Sequence, residues 1–364
     1  MATGNTQERR FARSKIPQTD FLTPTDVSQV NNFKELLVSD TNLTKHEVKT
    51  EDNKEDSIGH HVPTEEYKTV HETTRVVERR VNSQEVGRDL YLATGGVTTT
   101  TPDAVNAPTV RKHVFKMQDL SVAKQPPAMT LIEIVGSAVN RLVPSMVVEE
   151  FGFKGSGVGR LSQTMNLRGS GLVTTPSGLQ AADIEGIRLS GLHYFLHTML
   201  KATIADAGTL ANAIDYSANG NYVESWDFSI KKSLLADKGY VPGAGLYFTA
   251  NDPESGAIRK ELLIDTYEYA MSLVVRLLGD SNELAALRSK KQLDLSLDLV
   301  GPVIAAAFKH ELITHAPRVS YDMVELGSGK GLVTAQINAK IFFDPTSGKE
   351  LEFTLYNDVT SYTV

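Results

Sequence analysis

The stretch Glu325-Leu326-Gly327-Ser328-Gly329-Lys330-Gly331, followed by Leu332-Val333-Thr334-Ala335-Gln336-Ile337-Asn338-Ala339-Lys340-Ile341-Phe342-Phe343, decides the fold class. From Val333 the apolar residues take every second position: Val333, Ala335, Ile337, Ala339, Ile341 and Phe343. Thr334, Gln336, Asn338 and Lys340 fall between them. A repeat of two is a strand with one buried face, because successive side chains point to opposite sides. Asp344-Pro345-Thr346-Ser347-Gly348 then supplies turn chemistry. Beyond it Leu351, Phe353 and Leu355 alternate with Glu352, Thr354 and Tyr356. The expected end of the chain is an antiparallel hairpin.

The glycine run itself resembles the first motif of class I methyltransferases, which bind S-adenosylmethionine. In that fold the glycines let the backbone approach the cofactor, and a helix starts directly after the loop. Here the next residues alternate and carry β-branched Val333, Thr334 and Ile337. Too little chain follows Gly331 for the strands and helices such a domain still needs. A glycine-rich hairpin loop is the expectation. A methyltransferase using the 325–331 motif stands as the enzymatic alternative, and a monomeric β-rich binding module as a third.

Composition narrows the classes. The chain has 364 residues, enough for two domains, and 41% of them are hydrophobic, as in soluble globular proteins. Few aromatics and many Thr, Val and Ser favour strands. The formal charge is −7 with no Lys/Arg run, which argues against a protein that grips nucleic acid through its phosphates. There is no cysteine, which excludes disulfides, thiolate metal sites and thiol nucleophiles. No apolar stretch approaches the roughly 18 residues that span a bilayer, so no membrane partner is expected. The polar start lacks the apolar core of a signal peptide, and cytosolic synthesis is the simplest inference.

In order, residues 1–58 read as a polar arm, with a short helix near 27–37 and then a run dense in Asp, Glu, Lys and Asn that has little to bury. Such an arm is expected to order only on assembly. Residues 59–175 read as a first β domain. It holds a strand or strand pair over 67–81, then Asn82-Ser83-Gln84-Glu85 capping a helix that ends at Gly95-Gly96. Strands follow at 113–115, 129–135, 146–153 and 161–167, with Gly155-Ser156-Gly157-Val158-Gly159 as a turn. Residues 176–221 form a connector, where Leu192, Phe195, Leu196, Met199 and Leu200 have helical spacing while 201–204 suits a strand; it stays unassigned. Residues 222–364 read as a second β domain, with strands at 226–230, 261–278 and 293–299 and a helix capped by Asp280-Ser281.

The two domains share an order. Val76-Val77 leads to Ser83 and Glu85, as Val274-Val275 leads to Ser281 and Glu283. Each series then reaches a glycine loop that opens an alternating strand with a Gln: Gly155, Gly157 and Gly159 before Gln163, and Gly327, Gly329 and Gly331 before Gln336. Internal duplication is the reading, with Gly155 over Gly327, and these six glycines are the candidate assembly loops.

Catalytic and metal chemistry finds no constellation. His193 and His197 have ligand spacing on a helix, but Tyr194 stands where a zinc protease needs Glu. Gly155-Ser156-Gly157 and Gly169-Ser170-Gly171 lack the spacing of a nucleophile elbow. Gly329-Lys330 is followed by Gly331 where a phosphate loop needs Ser or Thr. No catalytic residue, cofactor or metal ligand is nominated, and the chain is not expected to be an enzyme.

Gly96-Val97-Thr98 leading to His113-Val114-Phe115, the 129–135 strand, the 147–171 hairpin and the close Phe353-Thr354-Leu355-Tyr356-Asn357-Asp358-Val359-Thr360-Ser361-Tyr362 together resemble the tail tube (major tail) proteins of long-tailed bacteriophages. The likeness covers roughly residues 60–364. It implies a mainly β sandwich or barrel with flanking helices, whose hairpins join into an inner barrel within a ring. Rings would stack into a tube in the virion tail, contact other tail proteins, and let DNA pass without specific binding. A typical subunit has one such domain, whereas this chain reads as two, so a ring would hold three two-domain chains or six chains.

Overall fold

The computed structural model describes residues 9–39, 42–52, 62, 66–176, 179–206, 214–215, 222–239, 258–277, 287–329 and 332–363. They form a mainly β structure. In chain order the strands are β1 (Arg9–Ser14), β2 (Phe33–Glu35), β3 (Lys45–Asp52), β4 (Glu66–Arg80), β5 (Gly95–Thr100), β6 (Arg111–Met117), β7 (Met129–Val135), β8 (Val139–Ser156) and β9 (Ser162–Gly169). Then come β10 (Leu200–Asp206), β11 (Ile214–Asp215), β12 (Tyr222–Leu234), β13 (Ile264–Leu277), β14 (Leu293–Ala305), β15 (Phe308–Gly329), β16 (Leu332–Ile341) and β17 (Glu352–Asn357). Helices are few: α1 (Val86–Thr94), α2 (Ala181–Gly186) and short 3-10 turns.

One run of antiparallel ladders organises the molecule. Across the sheet the order is β3, β4, β9, β8, β12, β13, β16 and the far half of β15. One face is apolar: Val77, Met165, Phe151 and Ile230 stand in one cross-strand row, Phe153, Phe228, Met271 and Ala339 in another, and all are buried. The near halves of β8 and β15 leave this sheet. That of β8 pairs β7, which continues to β1 and β2. That of β15 pairs β14 and β17, and β17 continues to β6 and β5.

Helix α1 packs over the apolar face, sharing a core with Val77, Phe115, Phe151, Phe153 and Phe353 through Val86, Leu90 and Leu92. Its ends follow the sequence signals. Asn82 Oδ1 accepts the Glu85 N–H at 2.9 Å, and Gly95 closes the helix at φ +87°, a conformation that suits glycine. Gly87 has no room for a Cβ because the Tyr362 ring lies against it. Tyr362 is held in turn by Asn357, whose Nδ2 donates to its hydroxyl at 2.6 Å. The chain's close is thus pinned to α1.

Three expectations need correction. The last two strands do not form a hairpin: β16 pairs β13 and β15, whereas β17 sits between β15 and β6. Alternation marks a strand but not its neighbour. Phe353, Thr354 and Leu355 are all buried, as in a strand covered on both faces.

Residues 9–52 also differ from a polar arm. β1 enters the sheet beside β7, burying Phe11 and Ala12. Over 27–37 there is a 3-10 turn (Val30–Asn32) and β2 instead of a helix, with Phe33 and Leu36 buried. Composition hid this because the anchoring residue is an arginine. Arg13 is fully buried; its Nη2 donates to Glu85 Oε2 at 2.7 Å and it pairs with Asp89, which also takes Arg79 and, at 2.8 Å, Gln163 Nε2. Burial favours the neutral acid of Glu85, but Arg13, Arg88 and Arg79 hold its carboxyl below the usual range.

The helical spacing at 192–200 yields only a 3-10 turn, His197–Met199, before β10. The strands expected at 67–81, 113–115, 129–135, 146–153, 161–167, 226–230 and 293–299 are present as β4, β6, β7, β8, β9, β12 and β14. The strand expected over 261–278 begins slightly later, as β13. Of the helix capped by Asp280-Ser281, only the helical 287–289 falls within the described residues; 53–58 and most of 207–221 lie outside them.

Two measurements test this packing. Arg13→Met leaves Glu85 and Asp89 short of a buried cation and should cost about 3–5 kcal/mol in urea unfolding. Lys232 is buried on β12 with its Nζ donating to Leu92 O at 2.8 Å, and burial pushes its pKa from 10.5 down to about 7. The unfolded chain therefore binds a proton that the fold releases, between the two values. Wild-type stability relative to Lys232→Met should rise with pH by roughly 2–3 kcal/mol between about pH 7.5 and 9.5 and stay flat below 7. A difference that does not change across that window contradicts the assignment.

Candidate assembly surface

The two hairpins β8–β9 and β15–β16 emerge at one end of the sheet. A single cross-strand row runs Ser156, Ser225, Val274, Gln336, Glu325. The candidate glycines lie around or just beyond it. Gly157 turns at φ +58° in open space, beside Val158, which is 85% exposed. Gly159 O accepts the His197 N–H at 2.9 Å, so the connector braces this tip. Gly155 is still in the ladder, opposite Trp226; a Cβ there would stand 2.5 Å from Trp226 Nε1 and 2.9 Å from His197 Nδ1.

Gly327 and Gly329 are ladder residues of β15, facing Thr334 and Leu332, and Gly331 lies outside the described residues. Strand β16, not a helix, follows the 325–331 run.

The sheet's open face carries both charges. Lys231 stands between Glu150 and Glu268, and Lys154 stands opposite Asp227. Lys340 Nζ donates to Asp322 Oδ1 at 3.0 Å, and Arg168 Nε to Glu149 Oε2 at 3.2 Å. Acidic and basic side chains are interspersed there, and among the described residues no single-sign stripe of the kind that holds phosphates forms.

The two ends of the sheet are unlike its middle. Among the described residues β3 has one strand neighbour, β4, and residues 322–329 of β15 have one, β16. Apolar side chains are exposed there: Val48 on β3, and Met323, Leu326 and Val333 on the β15–β16 hairpin, with Phe342 and Phe343 just after it. A strand edge carrying exposed apolar groups is a pairing template.

The root of β3 is fixed: buried Glu133 accepts the N–H of Thr44 at 2.9 Å and its hydroxyl at 2.6 Å, and pairs with Arg75 and Arg141. Sequence reading missed this edge because Lys45-His46-Glu47-Val48-Lys49 shows no apolar alternation. Its one signal was an isolated Val among charges.

His193 and His197 do not converge. His197 Nε2 bonds Val223 O at 2.9 Å, while the His193 ring stacks on His310 at 4.3 Å. Burial lowers the His197 pKa. Among the described residues no group of three His, Asp or Glu gathers as a metal site, and no helix is long and apolar enough to cross a membrane. No protein-family model matches the chain, and no curated protein matches it.

The glycines should differ in their tolerance. Gly155→Ala forces an atom into the Trp226 ring and should cost about 1–3 kcal/mol. Gly157→Ala meets only its left-handed backbone and should cost about 1–2 kcal/mol. Gly159→Ala, with no close side chain, should be nearly neutral by chemical denaturation; equal costs at 155 and 159 contradict the packing described.

Proposed function

We propose that this chain is a structural virion subunit that self-assembles into stacked rings forming a phage tail tube, through which DNA passes without specific binding, and that it carries no catalytic activity. One observation carries the reading: among the described residues, a continuous sheet ends in two strand edges with exposed apolar side chains. A chain left as a monomer would keep both edges open, whereas a ring closes them against neighbours. The mixed charge of the open face supports a lumen along which DNA slides, since many lysine and arginine contacts would retain it.

Duplication is part of the proposal. Strand order β3-β4-β9-β8 in the first half is matched by β12-β13-β16-β15 in the second. In each, a hairpin's returning strand lies beside the strand bearing the Val-Val pair: Val77 faces Met165, and Val275 faces Ala335. With Val77 set over Val275, Gly327 falls over Gly152 and not over Gly155, because Thr164 and Thr334 are then equivalent and face Gly152 and Gly327. Two-copy chains would close a ring with three chains, pseudo-sixfold in appearance.

Negative-stain microscopy of the purified protein tests the function. Rings or tubes are the expected result. Isolated particles that S-adenosylmethionine stabilises against heat would overturn it.

A further inference from the structure

The chain already contains one copy of the contact a ring needs. Between its two halves, β8 of the first pairs β12 of the second: Phe151 faces Ile230, and Glu150 faces Lys231. Phe151 and Ile230 are buried, at 0% and 1% exposure.

The repeat gives each of these residues a counterpart. Val77 faces Met165, which faces Phe151; Val275 faces Ala335, which faces Leu326. Leu326 is therefore the counterpart of Phe151, and its neighbour Glu325, opposite Gln336, is that of Glu150, opposite Asn166. On the other flank Ile230 faces Tyr269 and Val48 faces His71, equivalent positions on β13 and β4. Val48 is the counterpart of Ile230, and Lys49 that of Lys231.

These counterparts lie at opposite ends of the sheet. Leu326 and Val48 occupy positions on the apolar face, yet they are 46% and 37% exposed where Phe151 and Ile230 are covered. Lys49, already paired with Glu72 at 2.9 Å, adds a cation on the same strand that would receive Glu325.

We propose that residues 322–329 of β15 pair antiparallel with β3 of a second copy of this chain, Leu326 opposite Val48 and Glu325 opposite Lys49, repeating between chains the β8–β12 ladder found within one. The occupant is a second copy because the template is the chain's own internal contact and the charges complement in the same register. The contact is head-to-tail: each chain gives its β15 edge to one neighbour and its β3 edge to the other, and the proposed ring is the case in which the rotation between neighbours closes. The inference rests on the proposed ring, but it fails separately.

The absence of cysteine makes the test clean. Val48→Cys and Leu326→Cys proteins are mixed, assembled, checked by microscopy and treated with an oxidant and a short thiol cross-linker. Covalent dimers are expected in the mixture and not in either protein alone. The double variant should give a ladder ending at a closed set of chains. Val48→Cys mixed with Val333→Cys is the register control and should stay uncoupled.

Coupling in Leu326→Cys alone, or preferential coupling to position 333, overturns the pairing. So do rings whose 48 and 326 positions never couple, an outcome that leaves the tube reading standing. Wild-type protein that never forms rings removes both. Should the cysteine variants fail to assemble, hydrogen exchange on wild type decides: those amides of 46–49 and 323–327 that do not donate within the β3–β4 and β15–β16 ladders gain protection on assembly if the pairing holds and remain fast if it does not.

Discussion

The ladder between β8 and β12 is the contact on which the rest of the structure depends. It turns two strand sets into one sheet and joins two apolar rows, Phe151 with Ile230 and Phe153 with Phe228, into one face over which α1 and β17 pack. Without it each half would expose a strand edge and an apolar stripe, as the outer ends of the sheet do at Val48 and Leu326. The same physics therefore accounts for the closed middle and the open ends. An antiparallel edge with exposed apolar side chains is a template for another strand.

Buried charge holds the pieces that hydrophobic patterning leaves loose. Arg13 ties β1 to α1 through Glu85 and Asp89, and Glu133 ties the root of β3 to β7 and β4 through Thr44 and Arg75. Such groups contribute little net stability over an apolar replacement, yet losing one partner is costly, so they act as registers for where a strand must sit. Fixing the root of β3 while Val48 on it stays exposed suits the proposed pairing with a neighbour.

Much of this was legible in the sequence. Period-two alternation marked β9, β12, β14 and β16, richness in Thr and Val marked β4, and Asn82 with Gly95 marked both ends of α1. Alternation reports which face is buried but carries no information about lateral neighbours, so β17 read as the partner of β16 when it belongs between β15 and β6. Polar composition misled at the start of the chain. Arg13 and Glu133 look like surface residues until their counter-charges, remote in sequence, are brought beside them. Of the glycines expected as loops, Gly157 and Gly159 lie in a turn, whereas Gly155, Gly327 and Gly329 are ladder positions; at Gly155 the Trp226 ring leaves no room for a side chain.

The central claim is that two equivalent halves of one chain, and then neighbouring chains, join by one repeated strand pairing. A cryo-EM map of the assembled particle at side-chain resolution tests it most directly. The account predicts three chains per ring, with the β3–β15 contact between chains superposing on the β12–β8 contact within each. Six chains per ring, or an interface that leaves Val48 and Leu326 apart, would contradict it.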